Sequence, residues 1–410
     1  MKTKKAKPDT RLNRRTFLGV SAGLASSAML PSLAKPSTDI VENPSAALPV
    51  LAGYRPTVSS AWIPKGEHEK ALNLVRQTLD GATDFSWLSK GDRILVKLAL
   101  NSGNEFPATS DPWLLKSLVT ILQEKGAGEI LVGDQSGVAD VHWTRDKKRG
   151  ASRDLCKSAG LLDVIHECAV KPVFFEEEGY DAYIRTQPEG AHHWKKPLMI
   201  TSVVNQVDHI IFIPRVASHA MGDITSGFKL GVGFLRDDSR QDFHSGGKDF
   251  YAMYEEINEV PEIKSKLRLT LTSGRKVLTT IGPDIGSVAE PEQGLIFASE
   301  DLLANELLSY AWLQWNREFE TSILARLTKG NLHRFRLFLN RKLIEKVWAP
   351  ADDIEIADLT VFAAGIIHNH PAILNNMVRK GGKPAGINWK SVNEITDSSI
   401  PTYLQQHLSI

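Results

Sequence analysis

The sequence predicts an α/β fold: a mostly parallel central sheet flanked by helices, with a largely helical C-terminal region. Three observations carry this reading. From residue 60 onward, short apolar runs alternate with stretches whose apolar residues recur at helical spacing. Helix start and stop signals separate the two kinds of segment. Each of several apolar runs opens into a loop of Asn, Asp, Ser, Gly or His.

In chain order, Glu67 to Leu79 carries Ala71, Leu72, Leu74, Val75 and Leu79 near helical spacing. Gly91-Asp92 turns the chain into a buried-type strand over 93–100. Asp111-Pro112 starts the next helix, with proline in its first turn, and Gly126-Ala127-Gly128 ends it. Residues 129–133 form a second strand. The order strand, helix, strand implies a parallel pair joined by a right-handed crossover. Further strands are expected over 208–214, 277–281 and 295–298. Ser299-Glu300-Asp301 then caps a helix, with acid where the helix dipole favours it.

In a parallel sheet the carboxyl ends of the strands share one edge, and ligands bind in the crevice outside them. The loops after the strands hold Asn101; Asp134 and Ser136; His219 and Thr225; and Asp284. These are also ordinary turn residues, so each taken singly has a purely local explanation. Taken together they place a polar site on that edge. The sharpest cluster is His219, Lys229 and His244 in a stretch that includes Gly222, Gly227, Gly231, Gly233, Gly246 and Gly247. Glycine backbone can approach and cradle an anion, and lysine adds a point charge. Histidine has an ordinary pKa near neutrality and suits proton transfer. On this reading His219, Lys229 and Asp284 are the catalytic candidates. Lys97, Asn101, Asp134, Ser136, Thr225 and Gly227 are candidates for holding a ligand. His219 and His244, with Asp134 and Asp284 nearby, also form a candidate set for a divalent metal. His368-Asn369-His370, after the apolar run Val361 to Ile367, is a second such pair if that run is a strand.

The two ends of the chain carry separate messages. Lys2, Lys4, Lys5, Lys7 and Arg11 lead to Arg14-Arg15, then to a Gly/Ala/Ser-rich apolar run ending at Ser32-Leu33-Ala34. This is the plan of a twin-arginine signal peptide over 1–34, which implies the twin-arginine export machinery as a partner and a periplasmic or extracytoplasmic location. The run is shorter than the roughly 20 residues a membrane span needs, and no later run reaches that length. Residues 35–58, with Pro36, Pro44, Pro49 and Pro56, read as an extended linker. The core is expected over 59–300, and a mainly helical region packed on it over 301–410. There, Leu332, Phe335, Leu339, Leu343 and Val347 make an apolar stripe, and Trp312 and Trp315 are expected in the core.

Composition excludes several classes. Residues 1–34 hold seven Lys/Arg against one Asp, and the whole chain is +1, so the remainder is about −5. Such a chain has no electrostatic footprint for nucleic acid. Only Cys156 and Cys168 occur, too few for an Fe–S cluster held by this chain alone; a disulfide and two free thiols both remain open. No Walker, dinucleotide-binding or serine-hydrolase motif stands in a suitable context.

The run from Gly91 to Lys97 resembles the domain of unknown function family 362. So do Gly126 to Asp134, Pro214 to His219, Gly227-Phe228-Lys229 and Ser299 to Glu306, together spanning about residues 90–310. The family usually has Lys-Pro-Asn after its first strand, where this chain has Lys97-Leu98-Ala99. Where it usually has two lysines before the loop histidine, Arg215 and Ala217 stand here. Leu230 follows Lys229 where it has Asn, and Glu306 replaces its usual Asp. Some members carry a ferredoxin module, absent here. The resemblance therefore implies an altered ligand site. Two functions follow from the sequence: an exported enzyme acting on a small anion in the strand-end crevice, with or without a metal, or a non-catalytic accessory protein for a cofactor or redox complex.

Overall fold

The computed structural model describes residues 44–219, 221–244, 246–319 and 367–409. The expected signal segment and the stripe from Leu332 to Val347 lie outside these residues. The chain from Asn43 to Ile410 clusters as one compact unit.

Its frame is an 11-stranded sheet. The strands are β1 (Thr57–Pro64), β2 (Ile94–Leu98), β3 (Ile130–Asp134), β4 (Lys171–Phe174), β5 (His209–Ile213), β6 (Arg215–His219), β7 (Asp223–Thr225), β8 (Leu267–Leu278), β9 (Val288–Ala289), β10 (Gln293–Ser299) and β11 (Asn388–Ser391). The main path runs β11-β1-β10-β8-β5-β2-β3-β4. Every neighbouring pair along it is parallel except the two made by β10. β6 continues β5 beyond Pro214 and pairs with both β7 and β8. The fold is thus mixed α/β, with a mostly parallel sheet between helices.

Alternation along each strand divides the core in two. Ile94, Val96 and Leu98 face one hydrophobic layer, completed by α1 (Leu72–Ala82) and α2 (Pro112–Glu124) through Val75, Leu79, Leu114 and Leu118. Leu95, Ile210 and Phe212 face the other layer. There α6 (Leu302–Phe319) brings Leu307 and Trp312 onto the sheet. Trp312 meets Trp62 edge-on at 5.8 Å and donates its Nε1–H to the Gly274 carbonyl at 2.8 Å. A Cβ at Gly274 would lie 2.6 Å from that indole, so the close approach requires glycine. Trp315 packs against the same layer.

Several expectations need correction. The first helix starts at Leu72, after a 3-10 turn over His68–Lys70. Residues 44–58 are not an extended linker. Pro44–Ala47 is a 3-10 turn, Val50–Leu51 pairs in parallel with Lys383–Pro384, and Thr57 begins β1. The strand expected at 277–281 is the end of β8, which runs from Leu267 to Leu278. Its start is disguised by buried polar residues with specific partners. Thr272 Oγ1 donates to Asn305 Oδ1 at 3.0 Å, and Ser273 Oγ to Asp111 Oδ2 at 2.7 Å. The acid expected in the first turn of α6 lies before it: Asp301 Oδ1 accepts the Ala304 N–H at 2.8 Å, and no acidic residue occupies the first turn. Cys156 is buried, Cys168 half-buried, and both are free thiols. Among the described residues, no helix is long and apolar enough to cross a membrane.

Candidate functional site

Four adjacent strands, β3, β2, β5–β6 and β8, end on one edge. Beyond that edge lies a cavity of about 250 Å³. Asn101 reaches it from the end of β2, Asp134 from β3, His219 from β6 and Asp284 from the loop after β8. Thr225, at the end of β7, also lines it. So does Lys229, carried on the short helix α3 (Gly227–Leu230), and so does His244, which ends α4 (Asp237–His244). Residues far apart in sequence meet here because parallel strands deliver all their carboxyl ends to one side.

Three of the expected ligand residues do not line the cavity. Lys97 is fully buried. Its ammonium pairs with Asp134 Oδ1 at 2.6 Å and donates to the carbonyls of Leu98 and Leu230. Asp134 in turn accepts from the N–H groups of Leu100 and Gln135. This pair ties β2 to β3 and leaves Lys97 no donor for a ligand. Ser136 is buried behind the edge, its N–H donating to Ser152 Oγ and its carbonyl accepting from Arg240. Gly227 opens α3, where the carboxylate of the fully buried Glu306 accepts the Phe228 N–H at 3.0 Å. The Gly227 N–H also donates to Glu306. The helix N-terminus that the glycine-rich stretch offers to an anion is therefore already filled by the protein's own carboxylate.

The two histidines are held in opposite tautomers. His219 Nδ1 accepts the N–H groups of Met221 at 3.1 Å and Gly222 at 3.0 Å, so the neutral ring carries its proton on Nε2. His244 Nδ1 lies 2.7 Å from the Arg240 carbonyl and must donate to it, which leaves its lone pair on Nε2. Burial, then the Lys229 charge, holds both rings in the neutral form: His219 well below its ordinary pKa, His244 down to about 3. His219 is accordingly a hydrogen-bond donor at neutral pH. Its Nδ1 lone pair is taken up by the two backbone N–H groups.

The charge balance is positive. Arg215, absent from the expected site, is buried in the wall. Its Nη2 donates to Asn101 Oδ1 at 2.5 Å and to the Pro283 carbonyl at 3.3 Å. Asn101 passes the contact on by donating its Nδ2–H to Asp284 Oδ1. Arg240 is also buried; it donates to the carbonyls of Gln135, Ser136, Gly233 and Leu235 and so fastens two loops together. Among the described residues, Lys229 has no carboxylate within ion-pair distance. Burial, then the guanidiniums of Arg215 and Arg240, lowers it to about 7. Burial lifts the Asp284 carboxyl to about 6 against the pull of Arg215. Two groups poised near neutrality thus share one cavity.

Among the described residues, no three His, Cys, Asp or Glu side chains are grouped to hold a metal ion. His219 and His244 share the cavity with three cationic side chains, and the His219 Nδ1 lone pair is used by backbone N–H groups. For the second candidate pair, residues 361–366 of the apolar run lie outside the described residues. Ile367–Asn369 is a 3-10 turn rather than strand, and His370 Nδ1 accepts the Ala372 N–H as the N-cap of the helix Pro371–Arg379.

Fold and site together define an α/β protein with a small cationic cavity at the carboxyl edge of its sheet. The chain belongs to the family Domain of unknown function (DUF362), which matches residues 94–310, just over half of its length. No curated protein matches the sequence. Among solved structures it is similar to the lactate racemase apoprotein from Thermoanaerobacterium thermosaccharolyticum, at 13% identity and a TM-score of 0.35. That match covers 60% of this chain and 54% of the other, about half its length.

Proposed function

We propose that this chain, exported through the twin-arginine route, binds a small anion in the strand-end cavity and transfers a proton on it. The observation that carries the reading is the Lys229 ammonium, which lines the cavity beside Arg215 and Arg240 and, among the described residues, has no carboxylate in ion-pair reach. A cation kept unpaired in a partly closed site costs stability, and a bound anion offsets that cost. Lys229, lowered to about 7, is the group best poised to exchange a proton. Asp284, lifted to about 6, is its acidic counterpart, and the His219 Nε2–H is a neutral donor toward developing negative charge. The donor set favours an anion over a divalent metal.

The test is calorimetric titration of a panel of small anions across pH 5.5–8.5. A bound anion stabilises charged Lys229, so affinity should be highest below about pH 7 and fall as Lys229 loses its proton above it. Lys229→Met should lower affinity about tenfold or more and flatten the pH profile. Binding that is independent of both pH and Lys229 refutes the reading. Binding without turnover of any of the anions would leave a carrier or accessory role in its place.

A further inference from the structure

Arg215 is less fully used than two other enclosed guanidiniums, Arg275 and Arg240. Arg275 meets both oxygens of Asp111, through Nε at 2.9 Å and Nη2 at 3.0 Å. Arg240 is answered by four carbonyls. Arg215 is 2% exposed, yet only its Nη2 is used. Its Nε is buried without a hydrogen-bond partner, and Nη1 has none among the described residues. A buried charged donor left unmet is costly, and on a cavity wall a bound acceptor can offset that cost.

The surroundings narrow the ligand. Arg215 lines the same cavity as Lys229, and the apolar residues Val138, Met221, Leu230 and Val232, its apolar wall, also line it. Inorganic phosphate would set its oxygens against that wall. It also seeks several N–H donors at once, and the helix N-terminus that would supply them is filled by Glu306. A carboxylate needs fewer donors, and a short hydrocarbon body would cover the apolar wall.

Resting on the reading of the cavity as an anion site, we infer that its ligand is a short-chain organic acid, with the carboxylate held by Lys229 and by single hydrogen bonds from Arg215 Nε or Nη1, and the hydrocarbon body laid against Val138 and Val232. The apolar lining then distinguishes a carboxylate from a tetrahedral oxyanion, and Arg215 supplies charge and unmet donors. Asn101 is its positioning residue, because Asn101 Oδ1 accepts from Nη2.

The experiment is calorimetric titration of the full chain at pH 6 with sodium acetate, propanoate, butanoate and inorganic phosphate. The expected result is that carboxylates bind more tightly than phosphate. Affinity should rise about three- to fourfold with each added methylene as the wall is covered. Arg215→Gln should weaken butanoate about tenfold or more, and Arg215→Lys should weaken it while keeping some binding, because the charge remains and the fixed Nε and Nη1 donors are lost. Phosphate binding as tightly as butanoate would overturn the carboxylate inference while leaving the anion site intact. An affinity that does not change with chain length would do the same. If Arg215→Gln does not fold, the wild-type ranking and chain-length profile decide the matter alone. Failure of every probe to bind would remove the anion reading together with this one.

Discussion

The buried pair of Lys97 and Asp134 offers the most direct test of how the site edge is held. Lys97 is fully buried, and Asp134 is 4% exposed. They meet at 2.6 Å, and their remaining hydrogen-bonding capacity goes to four backbone groups on both sides of the edge. Lys97→Met keeps the length of the side chain and removes its charge. Asp134 would then keep two N–H donors and lose its cation, a loss that typically costs ~3–5 kcal/mol for a buried pair. Two surviving donors place the expectation near the lower bound. Asp134→Asn leaves the ammonium with two carbonyls and should cost a similar amount. The double variant removes both charges and should cost less than the two singles together, by ~2 kcal/mol. Urea unfolding followed by tryptophan fluorescence reads all four proteins. Strict additivity, or a Lys97→Met cost under ~1 kcal/mol, would refute the claim that this pair braces the edge.

Three further outcomes follow from other contacts. Gly233→Ala would place a Cβ 2.0 Å from Asp134 Oδ1 and 2.3 Å from Lys97 Nζ, so it should destabilise by at least ~2 kcal/mol in the same unfolding assay and weaken anion binding. Burial lifts Glu306 to about 7 and, more than its asparagine partners offset, Glu255 to about 7 as well. Between the ordinary 4.5 and about 7 the folded chain holds protons that the unfolded chain has released, so the contribution of these groups to stability falls as pH rises through that window. Glu306→Gln keeps an acceptor for the Phe228 N–H, and should make the melting temperature decline less between pH 5 and 7.5. Replacing Arg14 and Arg15 by Lys should hold the precursor in the cytoplasm, as read by fractionation; continued export would refute the twin-arginine assignment.

Much of the site was legible before any coordinates. Asn101, Asp134, His219, Thr225, Lys229, His244 and Asp284 were picked out because each follows a strand or belongs to the glycine-rich stretch, and all line one cavity. Lys97, Ser136 and Gly227 were picked out by the same logic and are consumed inside the protein instead. Nothing in their local sequence shows that Asp134, Arg240 and Glu306 are their partners, because those partners come from other elements. Arg215 was noted only as a departure from its family's lysine. The signal that would have raised it is its place two residues beyond the strand His209–Ile213, at the edge where ligands bind.

The sequence by itself determined the α/β class and the strands it places over 93–100, 129–133, 208–214 and 295–298, which the structure sets at 94–98, 130–134, 209–213 and 293–299. These depend on periodicity and on capping, which are local. Only the tertiary structure decided which cations are spent and which are left unmet, which nitrogen of each histidine carries the proton, and which helix N-terminus is already occupied. Those properties depend on distances between side chains from different strands and helices, at a buried edge where a few ångströms separate a satisfied charge from one that still needs a partner.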